Sequence, residues 1–316
     1  MRNWTGIFSL WAFAALMLVV LTVRREDHWL PILARYLPPL TWGLMLALLL
    51  ALFRLTRTPI LVLPTLVCLA LWLAVSGFQL RPSRPGSLRV MTWNIHAGLA
   101  GPERIGAFLA ASGCDLILLQ EARRPARGGP DPVPALRAAL PCHDIARSGE
   151  LVILSRFPIR AVGELPPVAE YRPGLMASLE VHGRTVQVID LHYVTGDPGK
   201  VLGPGASRRQ RLMRTVQVRA EQTDLLVQLL GEGPTLLAGD FNCPPRSYTH
   251  RELSSRLRDA FSEAGLGFGL SYPARTPLWR IDHLFWSRHF RVRSCRVVDT
   301  GLSDHRAVIA EADLGR

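Results

Sequence analysis

The chain divides into two patterns of apolar and polar positions. Residues 6–23 (GIFSLWAFAALMLVVLTV) carry no charge, and neither do residues 37–53 and 59–80. About 20 apolar residues cross the hydrocarbon core of a bilayer. The pattern therefore predicts a membrane anchor over residues 1–80, with three transmembrane helices over about 6–23, 34–53 and 59–80. A cleaved signal peptide fits the first run poorly. Arg24-Arg25-Glu26-Asp27 stands where a small-residue cleavage site would be, and two more apolar runs follow. Residues 81–87, RPSRPGS, read as a linker, because proline and glycine there support neither a helix nor a ladder.

From residue 88 to 316 the pattern is one of short apolar runs parted by turns. Strands are predicted at 88–95, 115–122, 151–159, 176–181, 185–194, 235–242, 281–287, 290–298 and 305–314. The hairpin between 176–181 and 185–194 turns at His182-Gly183. Helices are predicted at 102–112 and 207–231. Many strands, few helices and tight turns imply an α+β fold with stacked sheets and helices outside.

The strand ends carry the chemistry. Polar residues stand where the apolar runs stop: Asn94, Glu121, His192, Asp240 with Asn242, Asp282, and Asp304-His305 before the last strand. Gathered along one sheet edge, they would form a pocket of carboxylates, amides and imidazoles. That set suits a hard divalent cation such as Mg²⁺, which prefers oxygen and takes one or two carboxylates together with substrate phosphate. The cation offsets phosphoryl charge while a carboxylate or imidazole activates water. No nucleophile elbow, HExxH, CxxC or P-loop offers a competing chemistry. Period-two alternation would put Asp240 and Asn242 on one side of their strand and Phe241 in the core.

Composition and charge change this picture only slightly. Residues 1–80 hold six arginines and two acids, so 31 of the 37 basic and 23 of the 25 acidic residues lie in the rest of the chain. A basic domain favours anionic partners, but Lys200 is the only lysine and the arginines form no single long run. The one basic segment that could grip a polyanion is 196–214, with Arg208, Arg209, Arg211 and Arg214. The five cysteines show no framework or CxxC spacing and read as free thiols. Arg24, Arg25, Arg35, Arg81 and Arg84 flank the predicted spans on one side and Arg2, Arg54 and Arg57 on the other, which leans toward a cytoplasmic soluble domain.

In order along the chain, MTWNIHAG, LLQEA, DLHYV, AGDFNCPP, RIDHLFWS and LSDHRAV resemble the motifs of the endonuclease/exonuclease/phosphatase superfamily, which has the deoxyribonuclease I-like fold. The resemblance covers residues 88–314, nearly the whole soluble part. It implies a four-layer α/β/β/α sandwich and hydrolysis of phosphate esters by metal-assisted attack of water, with Mg²⁺, or Mn²⁺, as cofactor. By motif, Glu121 would be the principal metal ligand, with Asn94 beside it and Asp304 close by. Asp240 would hold or deprotonate the attacking water, and Asn242 would orient it or a phosphate oxygen. His305 would contact the scissile phosphate with its tautomer set by Asp282, and His192 would stand on the other side of the phosphate. His96 could reach the pocket, and Arg219 and Gln222 resemble an R-x-x-Q helix packed toward the rim. His283 should point away from Asp282, Trp93 and Trp286 should pack inward, and His28, His143, His182, His250 and His289 read as surface residues.

Taken together, these features imply an integral protein of a bacterial inner membrane whose partners are the bilayer and a phosphate-ester substrate, with no obligate protein partner. A phospholipid or headgroup phosphate is favoured as substrate. A membrane-tethered nuclease acting on DNA or RNA is the alternative, and a non-catalytic membrane binding protein on the same fold is a third reading.

Overall fold

The computed structural model describes residues 2–22, 32, 35–54, 61–126, 128–168, 174–194 and 207–315. Most of the basic segment 196–214, together with His28, lies outside them.

Among the described residues the chain leads with three apolar helices, α1 (Arg2–Thr22), α2 (Pro39–Arg54) and α3 (Val62–Ser76). They pack on one another through Leu10, Phe13, Met17, Trp42, Leu46 and Cys68. Their lengths correct the expectation of three spans. Among the described residues, only Trp4–Thr22 is both long and apolar enough to cross a membrane; the apolar parts of the other two are Pro39–Ala51 and Val62–Ser76. At 1.5 Å per residue the last is about 22 Å long, against about 30 Å of hydrocarbon. Lack of charge marks an apolar stretch, but it does not fix where the helix stops.

The remainder is a sandwich of two mixed sheets, each with six strands among the described residues. One sheet runs in the order β13 (Phe290–Val298), β14 (Ala307–Leu314), β2 (Leu88–Asn94), β3 (Leu116–Gln120), β5 (Leu151–Ser155), β4 (Asp144–Ser148). The other runs β10 (Arg258–Asp259), β12 (Asp282–Trp286), β9 (Thr235–Asp240), β8 (Arg184–His192), β7 (Leu175–Val181), β6 (Ile159–Glu164). Between the sheets lies a core of Leu88, Val90, Leu118 and Ile153 against Val186, Val188, Leu236 and Leu284. The outer face of the first sheet, with Met91, Trp93 and Ile117, is covered by α4 (Pro102–Ser112) and α5 (Pro132–Ala139). The outer face of the second, with Ile189, Leu237 and Phe241, is covered by α6 (Arg208–Leu229) and α7 (Tyr248–Arg256). Both faces of the central strands are thus buried, so they read as continuous apolar runs instead of alternating ones.

Helix α4 coincides with its predicted span and has Pro102 in its first turn, where the missing N–H costs nothing. Helix α6 opens on a capping box in which the Ser207 hydroxyl accepts from Gln210 N and the Gln210 side chain reaches back. The predicted run 151–159 breaks at Ser155, and a separate strand, β6, follows. Segment 81–87 is held on the domain by its backbone. Arg81 N donates to Gly265 O, Arg84 N to Arg293 O, Gly86 N to Glu311 and Ser87 N to Asp313. Just before it, β1 (Gln79–Leu80) pairs with β11 (Leu266–Gly267).

Candidate active site

Each sheet contains one parallel pair at its centre, β2 with β3 and β8 with β9. Ligand sites in such sheets form beyond the carboxyl ends of the parallel strands. Here both pairs end at one rim of the sandwich. In the second sheet His192 lies opposite Asp240, and Asp240 opposite Asp282 on antiparallel β12. In the first, Asn94 lies opposite Gln120, with Glu121 next in the chain. Strand β14 enters antiparallel to β2, which brings the preceding Asp304-His305 over the end of β2. Gly239 permits the tight pairing of β8 with β9. Its φ is +148°, and a Cβ there would come within 1.9 Å of Leu191 O.

Asp240 is the hub. His192 Nε2 lies 3.6 Å and His305 Nε2 3.7 Å from its Oδ2, and Asn94 Nδ2 donates to the same oxygen at 3.2 Å. The Asn94 amide also donates to Glu121 at 3.3 Å, so it holds the two carboxylates apart at a fixed spacing. Each histidine is steadied from behind. Asp282 takes His305 Nδ1 at 3.1 Å and itself accepts from Ser271 Oγ at 2.6 Å. Glu150 stands 2.7 Å from His192 Nδ1 and accepts from Arg123 Nε at 2.9 Å. The two imidazoles therefore flank one carboxylate from opposite sides, each backed by its own acid.

Charge follows from this crowding. Burial alone would strip His305 of its proton, but Asp282 and Asp240 outweigh it and push its pKa up to about 10. The Asp240 carboxyl is raised by burial and by Asp282, with His305 and His192 opposing. The rim thus contains an imidazolium at neutral pH beside the buried Asp240 carboxyl. Below it, Asp190 is sealed between the sheets and accepts from Gln120 Nε2 at 2.6 Å, and burial raises its pKa far above the ordinary carboxylate range.

Asn94, Glu121, His192, Asp240, Asp282, Asp304 and His305 are brought to this rim. One geometric expectation is corrected. Strand β9 ends at Asp240, and Asn242 has a φ of +50°, so strand alternation does not put the two side chains on one face. Instead the Asn242 amide donates to Tyr193 O at 3.1 Å, and its N–H caps Asp240 Oδ1 at 2.9 Å. His96 likewise leaves the strand in a 3₁₀ turn with φ +49°, and reaches the rim from there, with Nδ1 3.4 Å from Asp304. Arg219 is buried, donating to Val194 O just past His192 and to the Tyr36 hydroxyl. Gln222 lines a small cavity behind His192 with Tyr193 and Leu226. Trp93 and Trp286 are fully buried, as expected, and the Trp93 indole N–H also fixes His305 O at 3.0 Å.

Sequence reasoning missed Glu150, Arg123, Ser271 and Tyr272, whose ring lies 4.6 Å from that of His305. Glu150 is one acid after a glycine turn, and 42 residues separate it from His192, so no local spacing marks it. The expectation that His250 is a surface residue is also corrected. It is buried, and its Nε2 lies 3.1 Å from Asp259, which is clamped by Arg280 at 2.8 Å.

Two buried groups, Asp240/Asp282/His305 and His250/Asp259/His283, have donor atoms close enough to surround a divalent ion. In the first, His305 is protonated, so an ion there would rest on carboxylate oxygens. In the second, Arg280 already supplies a cation to Asp259, whose Oδ2 also accepts from Ser262 Oγ and pairs with His250. Beside the first stand the further oxygen donors Glu121 and Asp304, both partly open to solvent.

A model of the endonuclease/exonuclease/phosphatase family matches residues 91–305, the span that contains this entire rim. The chain belongs to the endonuclease/exonuclease/phosphatase family. Its members' activity makes it a hydrolase of phosphoester bonds, with the buried acidic and histidine cluster at its centre. Solved structures share the fold. A family protein of Beutenbergia cavernae is 25% identical with a TM-score of 0.54, over 73% of this chain and 72% of its own. The mannosyl-6-phosphatase of Bacteroides thetaiotaomicron is 18% identical with a TM-score of 0.56, over 72% of this chain and 99% of its own. A humanized D. rerio TDP2 is 15% identical with a TM-score of 0.52, over 71% of this chain and 97% of its own. No curated protein matches the chain.

Proposed function

We propose that this family member is a Mg²⁺-dependent phosphoesterase acting on the headgroup phosphate of a lipid at a membrane surface. The observation that carries the chemistry is Asp240 between two carboxylate-backed histidines, 3.6 and 3.7 Å away. Asp240 orients and deprotonates the attacking water. His305, held cationic by Asp282 and Asp240, binds the scissile phosphate. His192, backed by Glu150, protonates the leaving oxygen. Asn242 fixes the Asp240 carboxylate through its backbone N–H. Glu121 would hold the divalent ion with Asn94 and Asp304 beside it, and His96 steadies Asp304. When bound, the ion would supply charge neutralisation on the phosphoryl group.

The membrane part of the reading is supported by the outward faces of the helices. Trp4, Phe8, Leu18, Leu44, Leu63 and Leu66 are each more than half exposed. An apolar surface of that extent is costly in water. Helix α1 serves as a single anchor, and the two shorter helices pack beside it in the interface. The full chain, assayed with Mg²⁺ against phospholipid vesicles and plasmid DNA, is expected to release headgroup phosphate and leave the plasmid intact. DNA cleavage that disappears in Asp240→Ala would replace the lipid by nucleic acid. Turnover of neither substrate, nor of a chromogenic phosphodiester, would favour a binding role.

A further inference from the structure

We infer that the cleft between the apolar helices and the sandwich binds one phosphate group, presented by the headgroup of an acidic lipid. The inference rests on the membrane reading above, but on a different part of the molecule from the catalytic rim. The cleft measures about 390 Å³ with its open mouth and is lined by Arg35, Trp42, Pro245, Phe268, Trp279 and Arg280.

Arg35 and Arg280 line its polar side, and Arg246, next in the chain to the lining residue Pro245, borders it at the end of α3. Arg280 is 3% exposed, and its Nη1 grips Asp259, yet its Nε is buried with no partner. Arg246 donates through Nη2 to Ala74 O at the end of α3, and its Nε is also buried and unpartnered. Among the described residues no carboxylate pairs with Arg246, and burial, then Arg251 and Arg280, push its pKa down. A guanidinium does not shed its proton to relieve such crowding. An anion does relieve it, and the planar fork matches phosphate oxygens.

The location selects the source. Arg246 and Ser76 close the C-terminal end of α3, whose Leu63, Leu66 and Leu69 face outward. Trp279 lines the cleft on the sandwich side, and its indole N–H is fixed by Tyr36 O at 2.8 Å. Outward apolar helix faces with an indole and arginines gathered at the helix end are the combination that suits a headgroup layer.

The test uses the full chain in EDTA, so that the catalytic rim holds no divalent ion. Flotation is measured with vesicles of phosphatidylcholine alone and with vesicles containing phosphatidic acid, with inorganic phosphate as competitor. Preference for the acidic vesicles of about tenfold is expected, two or three arginine contacts being enough to supply it. Inorganic phosphate is expected to erode that preference. Arg246→Gln and, as a second variant away from the α3 end, Arg35→Gln should each lower the preference severalfold while flotation with neutral vesicles persists. Arg246→Lys should restore part of it, and Asp240→Asn should leave it intact. A preference that survives Arg246→Gln with Arg35→Gln, or one that vanishes in Asp240→Asn, overturns the inference. Protection by inorganic phosphate without any vesicle preference overturns the lipid source. No flotation with either vesicle overturns the membrane reading itself.

Discussion

Strand β12 begins with two consecutive residues, Asp282 and His283, that serve opposite ends of the electrostatic scale. Asp282 points to the rim and completes the group Asp240/Asp282/His305; His283 points across the pleat and completes His250/Asp259/His283. Both groups are buried and both are made of Asp and His. At the rim two carboxylates face one imidazole, which keeps its proton up to about pH 10. Behind the sheet, burial first, then Arg280 and His250, hold His283 well below its ordinary value. Burial works against the Asp259 charge, but Arg280 and His250 outweigh it and hold that carboxyl well below the usual carboxylate range. Where an arginine closes the charge balance, the cluster has no need of a metal and is structural. Where the only cation is an imidazolium beside two acids, the cluster is open to a metal and a phosphate.

Variants of the two clusters should therefore fail in different ways. The largest effect is expected from His305→Gln, which removes the phosphate-facing cation. kcat of the folded protein on a chromogenic phosphodiester should fall by about 10²- to 10⁴-fold; normal turnover of the folded fraction would merge the two clusters into one structural unit. Asp259→Asn should do the reverse. It strands Arg280 in the interior, a loss of about 3–5 kcal/mol by denaturant melt, while the protein that remains folded turns over normally.

A smaller separation is expected along the pH axis. The unfolded chain releases the His305 proton near 6.5 and the folded chain near 10, so this group stabilises the fold fully below 6.5 and the gain is lost as pH rises through about 10. Asp259 acts in the opposite sense. Its folded value lies below 3.8, so its contribution is present above 3.8 and is lost as pH falls through that lower value. His283 adds to the acid loss, because below 6.5 the unfolded chain takes up a proton that the folded chain refuses. Melting curves should show His305→Gln flattening the alkaline limb and Asp259→Asn the acid limb; the same limb flattened by both would contradict the assignment. The smallest effect should come from Glu150→Gln, which loosens His192 without removing it. A fall of about 10- to 100-fold in kcat is expected, with a shifted pH–rate profile that a purely structural role would not produce.

The contrast between the clusters also shows how much the sequence could say. The rim was legible because its residues close apolar runs, and the ends of parallel strands must gather at one edge. Asn94, Glu121, His192 and Asp240 are all of this kind, and Asp282 opens antiparallel β12 at the same edge. Helix α4 was legible from its apolar spacing and first-turn proline. The pair Glu150–His192 and the network Arg280–Asp259–His250 were not, because each joins residues on separate elements through the fold alone. Asn242 was misread for a related reason: a strand's period stops at its last ladder bond, and in β9 that bond falls at Asp240. The apolar helices were over-counted as spans because composition reports burial or lipid contact, not length.

Titration of Mg²⁺ into the full chain tests most directly which cluster is the catalytic centre. The wild type should bind the ion with a rise in melting temperature, about 2.7 kcal/mol of added stability at a hundredfold excess over Kd. Glu121→Gln should lose that rise together with turnover, and His283→Gln should keep both. Binding that survives Glu121→Gln and disappears in His283→Gln would move the metal to the buried cluster and contradict the account.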